Sequence, residues 1–272
     1  MDPQFAQTLW LTLKLAVSTT VILVIIGLPF AYWLAYTRIK IKPLIEALVS
    51  MPMVLPPSVI GYYMLVIYSP RNWFGDWLGR MFDVRLAFSF EGILIASVIF
   101  SLPFMVQPLH NGLRALPDSL HEASYTIGKS KMITFFRVLL PNIKPSVITA
   151  VALTFAHSIG EFGIVLMVGG NMPGETRVAS IAIYDEVQAL NFEAANQYAL
   201  ILFLISLVFF GLGKLNVLFH RHVRKQGIIL KHQADVALLR HNIDLFRRIE
   251  PNCISKPDQS FIRNYQSGQN SQ

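Results

Sequence analysis

The stretch "EASYTIGKSKMITFFRVLLP", Glu122 to Pro141, decides how the chain is read. It is charged and amphipathic, yet long apolar segments flank it on both sides. Ser119 and Glu122 make the pattern S-x-x-E, which predicts a capping box at the start of a first short helix. Gly128 suits the end of that helix, where the chain turns through positive φ. Ser130 then caps a second helix bearing Met132, Ile133, Phe136, Val138 and Leu140. Pro141, which has no N–H to donate, is expected to stop it. The tripeptide Gly128-Lys129-Ser130 invites a phosphate-loop reading. That pattern, G-x-x-x-x-G-K-[ST], needs a glycine where Ala123 stands and a strand where this segment reads as helix. Spacing and capping alone leave two readings open: a hairpin resting on the lipid surface, or a handle for a partner.

The rest of the chain places this hairpin in a membrane protein. Of 272 residues, 53% are hydrophobic and 14% charged, whereas soluble domains carry about a quarter charged residues. One membrane domain fits this length, without room for a nucleotide-binding domain as well. The net charge of +7 is expected from basic residues gathered in cytoplasmic loops rather than from nucleic-acid binding. The one cysteine, Cys253, excludes a disulfide framework and a cysteine metal site. The opening "MDPQFAQTLW" lacks a basic leader and runs into an apolar stretch too long for a signal peptide, so no cleavable signal is expected.

Five stretches approach the roughly 20 apolar residues that a helical crossing needs: Leu9 to Tyr36, Leu48 to Tyr68, Gly92 to Leu109, Val147 to Val168, and Tyr198 to Phe219. The third is the shortest. Basic residues follow the first (Arg38, Lys40, Lys42), separate the third and fourth (Arg114, Lys129, Lys131, Arg137, Lys144) and close the fifth (Lys214, Arg221, Arg224, Lys225). The alternate loops hold only Arg71, Arg80 and Arg85 on one connection and Arg177 on the other. The excess predicts an outside N-terminus, a cytoplasmic C-terminus and a cytoplasmic hairpin in a cell (inner or plasma) membrane. The expected class is all-α, a polytopic membrane protein of about five helices, or six. Residues 1–227 form the membrane domain, with the hairpin at about 114–145. Residues 228–272 form a polar tail in which Val236, Leu239, Ile243 and Phe246 suggest a short amphipathic helix before a disordered end.

On the outer side, Trp73, Phe74, Trp77, Phe82 and Phe88 stand among charges, a mixture suited to the headgroup layer. The second outer loop opens with turn residues and continues as an expected helix from Val178 to Leu190. Within the crossings, Pro52, Pro56 and Pro57 should break the second helix. Freed backbone groups are tolerated there only when buried in protein or facing water. Ser58, Gly61 and Tyr62 follow; a plain kink and a polar path are both consistent with this. Glu161 is the one sharp intramembrane carboxylate, at a cost of about 3 kcal/mol on insertion scales. His157 precedes it by one helical turn. Two such residues are too few for a metal site, and a carboxylate is a poor direct ligand for an anion. A structural or gating role is expected, with Gly160 and Gly163 allowing close helix approach. Proton coupling is the alternative for Glu161.

Glu122, Ala123 and Gly128, then nine residues and "VLLP" from Val138 to Pro141, resemble the EAA loop of the permease subunits of bacterial ABC importers. Ser124 replaces the second alanine and Val138 an isoleucine. The resemblance implies the type I permease fold and a coupling role for Glu122, Ala123, Ser124, Gly128, Val138, Leu140 and Pro141 against a separate ATP-hydrolysing subunit. "LPPSVIGYYML" (Leu55 to Leu65), "SIGEFGIVLMVGGNMPGETR" (Ser158 to Arg177) and "IAIYDEVQ" (Ile181 to Gln188) resemble molybdate-type permeases, which are close to the sulfate ones. The similarity runs from about Leu9 to Arg224. It implies import of molybdate or tungstate, with sulfate or thiosulfate as the alternative, by a chain that is not itself an enzyme. Two copies of the ATP-binding subunit would bind ATP and Mg, and this chain no cofactor or metal. A second permease copy, expected to be identical, and a periplasmic or lipid-anchored oxyanion-binding protein complete the assembly, in contact with membrane lipid. Pro56, Pro57, Ser58, Gly61, Ser158, Gly160, Glu161 and Gly163 are the candidates for the path or gate. Asn171, Pro173, Gly174, Glu175 and Arg177 are the candidates for docking the binding protein. From another class, a proton-coupled secondary transporter would need relay carboxylates within the crossings, where Glu161 nearly stands alone.

Overall fold

The computed structural model describes residues 3–211. The basic residues from Lys214 to Lys225, the tail from 228 with its expected amphipathic helix, and Cys253 lie outside the described residues. Within them, all regular structure is helical. Helix α1 (Pro3–Tyr36) and α5 (Phe90–Arg114) are joined by α12 (Phe192–Gly211) as the three helices long and apolar enough to cross a membrane. Among the described residues, up to five crossings result by length and composition if each of two bent pairs, Lys42–Met53 with Pro57–Tyr68 and Lys131–Asn142 with Lys144–Ile159, counts as one. The third expected crossing, read as the shortest, is a helix of 25 residues. It carries Pro103 and Pro108 within it.

The second crossing is broken, as its prolines require. Helix α2 (Lys42–Ser50) runs into a 3-10 turn at Met51–Met53, and α3 (Pro57–Tyr68) leaves at 105° to that pair. Pro56 takes φ −57° and ψ 135°, because the ring of a following proline drives the preceding residue out of the helical region. The fourth crossing, expected as one stretch from Val147 to Val168, is also interrupted. Helix α9 (Lys144–Ile159) stops at Gly160, and α10 (Gly163–Gly169) restarts after the non-helical residues Glu161 and Phe162.

Two short helices lie on the connections at the far end from the hairpin. Helix α4 (Trp73–Phe82) is capped by the Asn72 side chain, which accepts from the Phe74 amide. Helix α11 (Ala179–Gln188) falls inside the expected Val178 to Leu190. Its first N–H groups need acceptors, and its own N-cap, Val178, offers no side-chain bond. Thr12 of α1 supplies one instead, its Oγ1 accepting from the Ala179 amide at 2.8 Å.

Helix α5 is the axis of the bundle, packed by α1, α9 and α10, while α3 lies along α10. The apolar core divides into three clusters. At the hairpin end, Leu23, Leu34, Met105, Leu109 and Leu113 pack with Phe135, Leu139 and Ile143. At the far end, Leu15, Ile60, Ile93, Phe100, Ile164 and Val165 form the second. The third joins Phe5 and Ala16 of α1 to Phe155, Ile159, Ala179, Tyr198 and Leu202.

The α3–α10 contact depends on two glycines. A β-carbon on Gly163 would stand 2.8 Å from Pro57 Cβ, and one on Gly61 2.8 Å from Met167 Cβ. Overpacking of such a contact costs about 1–3 kcal/mol. Gly163→Val should therefore lower the melting temperature of the detergent-solubilised protein by several degrees, whereas Gly79→Ala, where a β-carbon meets nothing within 4 Å, should not; scanning fluorimetry reads both.

Candidate functional site

The hairpin begins with α6 (Asp118–Thr126). The expected capping box is not what starts it: the N-cap is Pro117, with no side-chain bond, and Ser119 lies inside the first turn. Pro117, at φ −62° and ψ 140°, already has the extended geometry of a cap, so the helix starts before the serine. Its other end follows the expectation. Gly128 has φ 78°, its amide donates to Tyr125 O at 2.9 Å, and the Lys129 amide donates to Ser124 O at 3.1 Å. That pair of bonds is a Schellman closure. The Ser130 side chain then accepts from the Ile133 amide to start α7 (Lys131–Thr134).

Beyond Thr134 the helix does not stop at Pro141. It widens into a π-turn over Phe135–Leu139 and continues as α8 (Leu140–Asn142). A π-turn shifts the donor pattern by one residue, so a proline is carried through. The bend of 78° between this arm and α9 comes at Ile143, just before Lys144 and Pro145.

The hairpin has one locked face and one free face. Phe135 and Leu139 are buried in the core cluster of α1 and α5. Ser124 and Thr134 tie the two arms together, with 2.8 Å between their hydroxyl oxygens. Thr134 donates to Ser130 O at 3.0 Å, so the proton between the hydroxyls comes from Ser124. The free face carries Glu122, Ala123 and Gly128, all exposed. Beside them stand apolar side chains in the open: Ile127 is 74% exposed, Met132 68% and Phe136 54%. Val138 and Leu140 are half-buried and Pro141 is exposed. The sequence pattern singled out Met132, Ile133 and Phe136 as the apolar side, and these face outward; Thr134, Phe135 and Leu139 do the anchoring. The i,i+4 step from Ser130 to Thr134 was the available signal for the anchoring face.

The second group of candidates is assembled from two distant segments. Pro57 and Ser58 at the start of α3 lie against Gly163 at the start of α10, and Gly61, one turn on, lies against Ile164 and Met167. The breaks at Val54 to Pro56 and at Gly160 to Phe162 are therefore neighbours. Val54, Pro56, Pro57 and Ser58 remain exposed on this face. Glu161 is 4% exposed, and among the described residues its carboxylate has neither an ion pair nor a hydrogen bond of full geometry. Ser97 of α5 is the side chain beside it. One turn along α5, Ser101 meets Ser158 of α9 with 3.3 Å between hydroxyl oxygens. The Glu161 backbone carbonyl accepts from Ser180 at 2.6 Å. His157 does not join Glu161, because the helix ends at Ile159 and the one-turn relation lapses. Its ring stacks on Phe104 at 4.0 Å instead. Ser97 and Ser101 were not among the expected residues; a pair of serines one turn apart within "ASVIFSL" was the trace they left.

The third group is a tight turn. Asn171 has φ 58° and donates to Asp185 Oδ2 at 2.8 Å. Arg177 reaches Asp185 at 3.2 Å and Glu186 at 3.9 Å. Thr176 is buried and donates to Gly169 O at 2.6 Å. Asn171 and Arg177 thus hold the loop onto α11, and Pro173, Gly174 and Glu175 form its exposed tip. Among the described residues there is no group of three or more His, Cys, Asp or Glu able to hold a metal ion.

The chain matches the family model described as "Binding-protein-dependent transport system inner membrane component" over residues 27–223. It is 44% identical over 189 residues to the molybdenum transport system permease protein ModB of Azotobacter vinelandii, covering 70% of this chain and 84% of that one. The sulfate transport system permease protein CysT of Escherichia coli (strain K12) is 31% identical over 223 residues, covering 82% and 80%. The fold is shared with the inward-facing MetNI methionine ABC transporter, at a TM-score of 0.63 and 19% identity over 80% of this chain and 97% of that one. It is shared as well with a bacterial alginate ABC transporter in complex with an alginate pentasaccharide-bound periplasmic protein, at 0.65 and 17% over 83% and 80%.

Replacing one member of the hydroxyl pair should leave the other buried and unpaired, at about 1–3 kcal/mol. Thr134→Val should destabilise the hairpin by that amount. The double variant with Ser124→Ala should recover a large part of it, as read by a double-mutant cycle on denaturant midpoints.

Proposed function

The chain belongs to the family of binding-protein-dependent transport system inner membrane components, and from that premise we propose how this ABC importer permease subunit works and what it carries. The hairpin is the handle for a separate ATP-hydrolysing subunit, on the cytoplasmic side of a chain whose N-terminus is outside. The observation that carries this reading is the division of the hairpin into two faces. Ile127, Met132 and Phe136 stand in the open beside Glu122, Ala123 and Gly128, while Phe135 and Leu139 are embedded in the core of α1 and α5. A push on the free face is therefore delivered to the crossings through packed side chains, which transmit displacement because interiors are close-packed. Two ATP-binding subunits and two copies of this chain would make the working assembly. They would bind the nucleotide and its magnesium outside this chain.

The cargo we propose is a tetrahedral oxyanion, molybdate or tungstate, delivered by a periplasmic or lipid-anchored binding protein. The paired breaks of α3 and α10 are the proposed gate. Their exposed Pro56, Pro57 and Ser58 offer backbone and a small hydroxyl at depth, which suit an anion that must pass without being held. Ser158, Gly160 and Glu161 support the gate from behind, with Glu161 as a structural or gating residue facing Ser97 and not as an anion ligand. Sulfate or thiosulfate is the second reading, favoured by the larger share of this chain that the CysT relative covers.

Reconstituted with its ATPase and binding protein, the chain should take up labelled molybdate only with ATP. Excess sulfate should leave that uptake intact; its loss to sulfate would move the assignment to the second cargo. Ala123→Trp should hold the handle off its partner and lower ATP-driven uptake by about tenfold or more without lowering the amount of chain in the membrane. Cysteines at positions 123 and 128 should crosslink to the ATPase, and a failure of both to do so would remove the coupling assignment.

The exposed tip of the 171–177 turn is the proposed landing point of the binding protein. Because Thr176 and Arg177 hold the turn in place, the informative change is at the tip. Glu175→Arg should weaken stimulation of ATP hydrolysis by the loaded binding protein while leaving basal hydrolysis unchanged. Normal stimulation would exclude the tip.

A further inference from the structure

A cavity of about 500 Å³ opens where the end of α1 meets the hairpin. Two cations, Arg38 and Lys131, and two carboxylates, Asp118 and Glu122, line it together with the rings of Tyr32 and Trp33. All four charged residues are exposed. Among the described residues their side chains form no ion pair and no hydrogen bond with one another or with other groups. Four charges of balanced sign around one hollow, none neutralising another, call for a guest that carries both signs.

The approach to the cavity is apolar. Val21, Ile25, Pro29 and Trp33 follow each other at four-residue steps along α1 and are all exposed, Ile25 at 66%. This lane runs down a crossing helix and ends at the cavity wall, where Trp33 belongs to both. Tryptophan and tyrosine at the end of a crossing sit at the level of lipid headgroups. A guest with an apolar tail on the lane and a zwitterionic head in the hollow matches the lane and the four charges together.

We propose that this cavity is a binding site for the headgroup of a phospholipid bearing a primary ammonium, of the phosphatidylethanolamine kind. Arg38 and Lys131 take the phosphate by charge-assisted hydrogen bonds. Asp118 and Glu122 take the ammonium, with the rings of Tyr32 and Trp33 adding a cation–π contribution. An anionic headgroup without the ammonium, such as phosphatidylglycerol, satisfies the two cations but leaves the two carboxylates facing added negative charge. The site joins α1 to α6, so the bound lipid braces the hairpin against the crossing from which it departs. This inference needs α1 to cross the membrane and does not depend on the cargo; it shares Glu122 with the proposed handle, so it requires that the ATPase leave the cavity side of α6 open.

The test uses the full chain in nanodiscs without its ATPase subunit, with Trp10, Trp73 and Trp77 replaced by phenylalanine so that Trp33 alone reports. Phosphatidylglycerol bilayers are doped with equal small fractions of brominated-chain phosphatidylethanolamine or brominated-chain phosphatidylglycerol. Trp33 should be quenched at about fivefold lower mole fraction by the ethanolamine lipid, the scale expected of a charge contact at a membrane surface. Arg38→Gln with Asp118→Asn should abolish the preference while leaving quenching by the glycerol lipid unchanged, which also shows that the variant is folded. Should that pair fail to fold, Lys131→Gln alone is expected to halve the preference or more. Native mass spectrometry should retain one ethanolamine lipid per chain in the parent and none in the double variant. Equal quenching by the two lipids would mean bulk lipid only, and overturn the site. Loss of the preference on adding the ATPase subunit would assign the cavity to the protein interface, and would overturn it equally.

Discussion

Hydrocarbon offers no hydrogen-bond partner, so a chain that breaks its helices inside a membrane must pack the breaks against protein or water. Here two crossings break, at Pro56 and at Gly160, and the chain brings the breaks together. Gly61 and Gly163 allow the approach, with positions for β-carbons filled by Met167 and Pro57. Helices α3 and α10, each too short to cross by itself, become one unit. Most other features follow from this pairing: the place of Glu161, the turn at Phe162, and the role of α5 as the axis on which α10 rests.

The hairpin is joined to that architecture from the other end. Its anchoring side chains, Phe135 and Leu139, share a cluster with Leu109 and Leu113 of α5 and with Leu34 of α1. Along α5, the same helix continues to Ser101 and Ser97, which meet Ser158 and Glu161. A single helix thus connects the proposed handle with the proposed gate. The bend at Ile143 and the interruption at Gly160 bracket α9.

The hydroxyls around the proposed gate are small, and those of Ser101, Ser158 and Ser180 are paired. Ser101 pairs with Ser158, Ser180 holds the Glu161 carbonyl, and Ser97 stands beside the Glu161 carboxylate. Buried polar groups are costly unless paired, and among the described residues the Glu161 carboxylate is buried with only Ser97 beside it.

By itself the sequence determined what depends on composition and local chemistry. Apolar runs of sufficient length, separated by basic loops, specified an all-helical membrane chain. Gly128 specified the Schellman turn, Ser130 the cap of α7, and Pro56 and Pro57 the break in the second crossing, because each acts through its own φ, ψ or missing N–H. Tertiary structure decided what depends on distant partners. Which face of the hairpin is buried could not be read from an arm whose exposed and buried sides are both apolar. Nor could the meeting of Pro57 with Gly163, or the divorce of His157 from Glu161, since both turn on where a helix ends once another packs against it. The cavity at Arg38 and Lys131 belongs to the same category: its four charges come from three separate stretches of chain, and only folding sets them around one space.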